Sequence, residues 1–350
     1  MIRAGIVGFG YMGHFHLRKI KEIDGIQCYA AFDVDGAKSE EAEKEGLKIY
    51  PSLKEMLEDI LIDLIVICTP NDSHAQIAVA ALRQGKHVLC EKPATMSVKE
   101  LEAVLECANA HGKIFTTHQN RRWDTDYRVC RNVVDSGNIG QVTTIVSQTF
   151  GQRGVCFGWR AEASRGGGML YDWGIHLIDQ ILLMFPEKKV IGVYARLRSI
   201  LTPVVDDYFE IELELEGDIV AHISVGTFAL QSRPRWYVFG DRGTLRIDDF
   251  SGKTGGAARI KTTVKGFERI KKEGSIGPSR TMAHLEPDML EHIPLPEEPE
   301  EPYAFYMNLI AAIEGKDDPY VSHVQMMRDM EVIEKVFESA GKHEYIRTAI

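Results

Sequence analysis

Three side chains, drawn from two separate stretches, have the right types to move a proton and steady an oxygen: Lys92, Asp172 and His176. Lys92 stands in Glu91-Lys92-Pro93, directly after the apolar run His87-Val88-Leu89-Cys90. An ammonium at the end of a buried strand can polarise an oxygen and stabilise alkoxide character as a bond to carbon breaks. Taken alone, it would read as a surface lysine paired with Glu91. Asp172 and His176 are four apart in Gly166-Gly167-Gly168-Met169-Leu170-Tyr171-Asp172-Trp173-Gly174-Ile175-His176, so a helix puts them on one face. Histidine titrates near neutral pH and suits removal of a hydroxyl proton. Asp172 can orient the ring or bind substrate. The pair alone would read as a helix-dipole acid and a core histidine. The three glycines beside it allow close backbone approach and favour a site. No H-x-x-x-H or H-E-x-x-H surrounds His176 and no cysteine lies within a turn of it, so no metal is expected.

These groups need a scaffold, and the first residues supply its signature. The apolar run from Ile2 to Val7 ends in Gly8-Phe9-Gly10-Tyr11-Met12-Gly13, and Phe15, Leu17, Ile20 and Ile23 follow at helical spacing. In this strand–turn–helix context, G-x-G-x-x-G is a dinucleotide turn. Gly8 allows the turn, Gly10 the approach of a pyrophosphate, and Gly13 close packing of helix on strand. The N–H groups of Tyr11, Met12 and Gly13 open the helix toward the anion. A second apolar run, Ile26–Phe32, ends at Asp33, 20 residues after Gly13, where a carboxylate binds ribose hydroxyls. Val34 follows with no arginine beside the acid, so NAD is expected over NADP, a preference that Lys38 would soften.

The rest of the first third alternates strands and helices. The run Leu64–Cys68 is apolar throughout, as in a parallel strand buried on both faces. It ends at Thr69-Pro70-Asn71, and Ser73 is placed to cap the next helix. A doubly wound parallel sheet is expected over residues 1–120. From about Gly140 the pattern turns to period two. Ile211, Leu213 and Leu215 alternate with Glu210, Glu212, Glu214 and Glu216. Residues 121–350 are therefore expected to form an α/β domain on a large, mostly antiparallel open-faced sheet. It is interrupted by one helix over about 169–184 and closed by two more, near 303–313 and 325–339, which can pack back on the first domain. The segment 253–280 is basic, with Lys253, Arg259, Lys261, Lys265, Arg269, Lys271, Lys272 and Arg280. Together with the acidic, proline-rich 294–302 it reads as a solvated hairpin and a stiff connector.

Composition excludes several classes of function. The 350 residues carry a formal net charge of −10, which argues against nucleic acid or an anionic membrane as partner. No apolar run is long enough to span a membrane. The six cysteines show no C-x-x-C and read as reduced, which together with a strand at the very start of the chain points to the cytoplasm.

Taken together, Gly8–Gly13, Thr69-Pro70-Asn71-Asp72-Ser73-His74, Glu91-Lys92-Pro93 and Asp172-Trp173-Gly174-Ile175-His176 carry a resemblance. The chain resembles the glucose–fructose oxidoreductase, inositol dehydrogenase and rhizopine catabolism family, Gfo/Idh/MocA, over nearly its whole length. The resemblance implies a Rossmann domain followed by an open-sheet domain, and NAD(P)-linked oxidation or reduction of a hydroxyl carbon in a sugar, inositol or related polyol. It implies that Lys92, Asp172 and His176 are the active-site trio, with His176 as acid/base. Thr69, Pro70, Asn71, His74, Glu91 and Lys92 then lie at the nicotinamide and its ribose. Gln119-Asn120-Arg121-Arg122-Trp123-Asp124 is similar to scyllo-inositol dehydrogenase-like members. It places Arg121 at the nicotinamide end and Arg122 and Trp123 toward substrate, with an interdomain ion pair as the other reading. Arg160, just before the glycine run, is expected at the substrate. Trp173 departs from the smaller residue of many relatives. The other readings are redox-assisted cleavage of a glycosidic bond with NAD recycled, and an NAD-binding sensor without turnover. A homodimer or homotetramer through the C-terminal sheet is expected.

Overall fold

Strands whose residues are apolar on both faces must be covered on both faces, and Leu64–Ile67 (β4) is fully buried throughout. It lies at the centre of the first sheet of the computed structural model, which describes residues 1–264, 272–274, 277–279 and 285–350. That sheet contains β1 (Ile2–Val7), β2 (Ile26–Phe32), β3 (Lys48–Ile49), β4, β5 (His87–Cys90) and β6 (Phe115–Thr117). All pairs are parallel, in the order β3-β2-β1-β4-β5-β6. Helices α1 (Tyr11–Lys21), α2 (Gly36–Lys44), α3 (Leu53–Glu58), α4 (His74–Arg83) and α5 (Val98–His111) make the crossovers. The strand order reverses between β1 and β4, and ligands of such sheets bind at the carboxyl ends beside that switch.

After α6 (Thr125–Asp135) come β7 (Val142–Phe150), α7 (Ile175–Met184), β8 (Val190–Arg198), β9 (Tyr208–Leu215), β10 (Ile219–Gly226), β11 (Trp236–Gly240), β12 (Gly243–Ile247) and β13 (Gly255–Ile260). A hairpin of β14 (Lys272–Gly274) and β15 (Gly277–Ser279) follows, then β16 (Leu290–Ile293), α8 (Ala304–Ile313), α9 (His323–Lys342) and β17 (Ile346–Arg347). Nine strands form the second sheet in the order β16-β13-β12-β11-β7-β10-β9-β8-β17. All its pairs are antiparallel except β10 with β7. Ile211, Leu213 and Leu215 are buried while Glu210 is exposed, as the alternation predicts.

Three local expectations are corrected. The stretch read as a solvated hairpin and connector also holds sheet strands, since β13 and β16 extend the second sheet. Gly255-Gly256-Ala257-Ala258 carries neither alternation nor β-branched residues, so the strand is held by its partners and not by propensity. Ser73 does not cap α4, because its hydroxyl donates to the Pro70 carbonyl at 2.8 Å and lies 2.6 Å from the Thr69 hydroxyl, in a short 3₁₀ turn over Asn71–Ser73. The helix expected from 169 begins as a turn of π-helix, Leu170–Gly174, before α7. Within the basic segment, Arg259 pairs with Glu291 at 2.9 Å and Lys261 donates to the Asp288 carbonyl. Lys265, Arg269, Lys271 and Arg280 lie outside the described residues.

The end of the chain packs against its beginning. Tyr303 donates to Glu22, and Tyr306 at the start of α8 reaches His16 on α1 at 3.0 Å. α9 packs on α5, α7 and β8.

Candidate active site

At the glycine turn, three glycines meet three different constraints. Gly8 has φ +91°, and a Cβ there would stand 2.8 Å from the Cys68 carbonyl carbon and oxygen at the end of β4. A Cβ on Gly13 would stand 2.5 Å from the Gly8 carbonyl oxygen, so α1 can approach β1 only without a side chain there. A Cβ on Gly10 would meet nothing within 4 Å. Gly10 is the N-cap of α1 and no side chain caps it, so the N–H groups that open the helix face free space. Tyr11 is 81% exposed there, and Met12 is half-buried. Asp33 sits at the lip of this space. Its Oδ2 accepts from Phe9 N at 2.6 Å and its Oδ1 from Asp35 N at 2.9 Å. A carboxylate oxygen takes two hydrogen bonds, so capacity remains for ribose hydroxyls. Lys38 is held by both oxygens of Glu41 at 2.8 and 2.9 Å. The open cradle, the helix N-terminus and the oriented acid fit a dinucleotide.

From the end of β5, Lys92 reaches across to the second domain. Its Nζ donates to Asp172 Oδ1 at 2.8 Å and to the Asp172 carbonyl at 2.7 Å. Arg160 Nε lies 3.4 Å from the same Oδ1. Burial opposes ionisation of Asp172, but Lys92 and Arg160 outweigh it and hold the carboxyl below its usual range. An ammonium has three donors; two serve Asp172, which leaves one for an incoming oxygen.

His176 is 5% exposed on the first turn of α7. Its partner is not Asp172. The π-helical turn adds a residue between successive turns, so the i, i+4 alignment expected of a regular helix is lost. Instead, Nδ1 lies 2.9 Å from Oε1 of Gln119, at the end of the β6 segment. Burial first, then Lys92 and Arg121, push the imidazole well below the usual histidine range, so the ring is neutral. With Gln119 Oε1 as acceptor, the ring proton sits on Nδ1 and Nε2 carries a lone pair. Among the described residues, Nε2 has no hydrogen-bond partner.

The other expected site residues divide into two groups. Asn71 Nδ2 donates to the Gly166 carbonyl at 2.8 Å, tying the β4 loop to the glycine run. Thr69 and Pro70 are half-buried beside it. Arg121 bonds Asp124 at 2.8 Å and lies 4.0 Å over the Trp173 ring, so the large ring is a shelf for the guanidinium. Of the remaining residues, His74, Glu91 and Arg122 are occupied inside the protein, which corrects their expected roles. His74 is fully buried between the Pro93 and Thr69 carbonyls, 2.9 Å from each ring nitrogen, and presents no nitrogen to a ligand. Glu91 Oε1 accepts from both His16 and His118 at 2.9 Å, and these two outweigh its burial and hold it ionised. This trio is close enough to hold a cation, but its nitrogen–oxygen contacts already satisfy it. Arg122 is buried against Asp179, Gln325 and the Tyr320 carbonyl, so its side chain is a tie within the second domain, neither a substrate contact nor an interdomain ion pair. Trp123 packs edge-on against Phe305 and Tyr320.

Comparison with known proteins agrees with this architecture. Residues 2–119 match the description "oxidoreductase family, NAD-binding Rossmann fold", and residues 127–246 match the "GFO/IDH/MocA C-terminal domain". The chain belongs to the GFO/IDH/MocA oxidoreductase family. Among relatives in that family, "uncharacterized oxidoreductase YdgJ" of Escherichia coli is 30% identical over 98% of this chain and 97% of its own. "scyllo-Inositol 2-dehydrogenase (NADP(+)) IolW" of Bacillus subtilis is 29% identical over 68% of this chain and 66% of its own. An "NAD-binding protein" from Listeria innocua has the same fold, with a TM-score of 0.93 and 34% identity over 99% of both chains.

In this GFO/IDH/MocA member, sequence reasoning passed over two residues. Gln119 opens the run Gln119–Asp124, but an uncharged amide gives no signal of chemistry. Asp329 lies on α9, 210 residues from Gln119, whose Nε2 reaches its Oδ2 at 3.5 Å. No local pattern links the two.

Proposed function

We propose that this protein is an NAD-dependent dehydrogenase acting on a hydroxyl carbon of a cyclic polyol or sugar. The observation that carries the reading is the pairing of Lys92 with Asp172 across the two domains, beside a neutral His176 whose Nε2 lone pair has no partner among the described residues. Bound nicotinamide dinucleotide would supply the acceptor for the hydrogen leaving carbon. His176 Nε2 takes the hydroxyl proton. The remaining Lys92 donor stabilises the developing alkoxide. Asp172 keeps Lys92 in place and offers its second oxygen, with Arg160, to neighbouring hydroxyls. In reduction the protonated ring returns the proton. The inositol dehydrogenase names among the relatives, including "inositol 2-dehydrogenase" of Salmonella typhimurium, support a cyclic polyol.

NAD is the expected coenzyme, since Asp33 would repel a 2′-phosphate and Lys38 is committed to Glu41. The outer face of the nine-stranded sheet carries a groove of about 700 Å³ among Tyr194, Glu212, His222, Tyr237 and Phe239. We infer that a second copy covers it, which light scattering of the purified protein would test. The decisive assay follows NADH absorbance against a panel of inositols and aldoses, with His176→Ala beside the wild type. Turnover by the wild type and a loss of about 10²–10⁴-fold in the variant is expected. Tight NAD binding with no turnover across the panel would instead favour a sensor.

A further inference from the structure

We propose that Gln119, held from behind by Asp329, is the positioning residue that fixes the tautomer of His176, with the proton on Nδ1 and the lone pair on Nε2. This deepens the dehydrogenase reading and rests on it for its kinetic part only.

An amide has two different ends, and which end faces His176 decides what the ring can do. If the carbonyl faces Nδ1, the ring must donate there and Nε2 is a bare acceptor. If the NH₂ faces Nδ1, the ring proton is driven to Nε2 and no base is presented to a hydroxyl. The side chain alone has no preference between the two. Asp329 supplies it, because a carboxyl oxygen 3.5 Å from the far end of the amide attracts N–H and repels a second carbonyl. Asp329 is itself buried beside Asp179, and both carboxyls stand against Arg122. Burial and then Asp179 raise Asp329 well above its usual range. A proton held there lies between the two carboxyls and leaves Oδ2 as the acceptor toward Gln119. The groups facing His176 itself are Lys92, Arg121, Glu91 and His118.

The choice of an amide has a second effect. A carboxylate at position 119 would stabilise the imidazolium, whereas an amide adds no charge. It orients the ring without making it a stronger base, so His176 stays unprotonated where an ordinary histidine is half charged.

Nitrogen NMR of histidine-labelled protein tests this without substrate, with the His176 signals assigned by their loss in His176→Ala. The wild type should show a pyrrole-type Nδ1 and a pyridine-type Nε2. Gln119→Leu and Asp329→Leu should populate both tautomers. Asp329→Asn, which keeps an acceptor oxygen toward Gln119 and a donor toward Asp179, should keep the wild-type tautomer. Gln119→Glu should keep the tautomer and move the titration midpoint upward. In the polyol assay, Gln119→Leu and Asp329→Leu should lower kcat by about 10–100-fold with KM for NAD and polyol within about threefold, while Asp329→Asn stays near wild type. Gln119→Glu should recover part of kcat and shift the acid limb of the pH profile upward. If neither leucine variant folds, Gln119→Glu decides. An unchanged single tautomer in Asp329→Leu, or an unmoved midpoint in Gln119→Glu, overturns the proposal. A wild type that shows the expected tautomer but oxidises no polyol would sink the dehydrogenase reading and leave this one standing.

Discussion

Lys92 Nζ bonds both the side chain and the backbone carbonyl of Asp172, at 2.8 and 2.7 Å, across a gap of 80 residues in sequence. One ammonium thereby fixes the position of the π-helical turn that precedes His176. Lys92→Ala should lower kcat by about 10²–10³-fold, the scale of losing one oriented donor at a developing oxyanion. Asp172 would keep only Arg160, so its carboxyl should titrate higher than in the wild type. A variant with wild-type kcat would remove Lys92 from the chemistry.

The pH dependence of activity follows from His176. Its folded-state ionisation is pushed down by burial, Lys92 and Arg121. The base form therefore persists below the usual histidine range, near 6.5. Polyol oxidation should stay flat from pH 8 through about 6.5 and fall only at more acid pH, while reduction, which needs the protonated ring, should gain over that same acid range. An acid limb centred near 6.5 in the kcat/KM profile would contradict the burial argument.

Stability should show the same sign. His16, His74 and His176 are all depressed in the fold, chiefly by burial. The unfolded chain binds more protons below about 6.5, so their contribution is fully present above that value and is lost as pH falls through it. His87, pushed down to about 4 chiefly by burial, and His323 act the same way. Asp124, Asp126, Asp206, Asp329 and Glu331 are raised in the fold, chiefly by burial, and oppose the trend, being most stabilising at low pH. A single replacement isolates one sign: His87→Gln should lose less Tm, or gain more, between pH 7 and pH 5 than the wild type does. Thermal scans of both proteins in matched buffers check this, and a variant that loses as much Tm as the wild type over that interval would contradict it.

Gly10 and Gly13 separate binding from folding. Gly10 has φ −83° and open space where a Cβ would stand, so Gly10→Ala should fold with a Tm close to wild type yet bind NAD at least about tenfold more weakly, roughly 1.4 kcal/mol. Gly13→Ala places a methyl against the Gly8 carbonyl and should lower the Tm itself. Calorimetry and NAD titration on both variants distinguish the two, and equal effects would count against the cradle.

Arg122 is the cation for two buried carboxyls, Asp179 and Asp329. Arg122→Ala leaves them without a partner and should destabilise the fold by about 3–5 kcal/mol, as for other broken buried pairs. Denaturant unfolding measures it. A loss under about 1 kcal/mol would mean the tie is dispensable.

The Rossmann half was legible because its signals are local. Gly8–Gly13, the uniformly apolar Leu64–Ile67 and the spacing to Asp33 each fall within one element or its neighbour. The open sheet was legible wherever strands alternate, as at Ile211–Leu215, and was missed at β13, where glycine and alanine erase the pattern. In the site, Lys92, Asp172 and His176 were visible as residue types. Their pairing was not. The i, i+4 rule joined Asp172 to His176, and a single π turn undoes that rule. Arg122 and His74 were read as ligands because charge and imidazole suggest chemistry, and burial is a property of the fold that no spacing reports.

The contacts that complete the site join residues far apart along the chain: Gln119 with Asp329, 210 apart, and His16 with Tyr306, 290 apart. A ribosome that has made the first 120 residues has produced every β-strand of the parallel sheet, but not the helices that cover Glu91 and steady Gln119. Competence for chemistry therefore waits for residues 306 and 329, about two hundred residues after the nucleotide half has its strands. A stalled or truncated product would carry a dinucleotide turn with no catalyst above it.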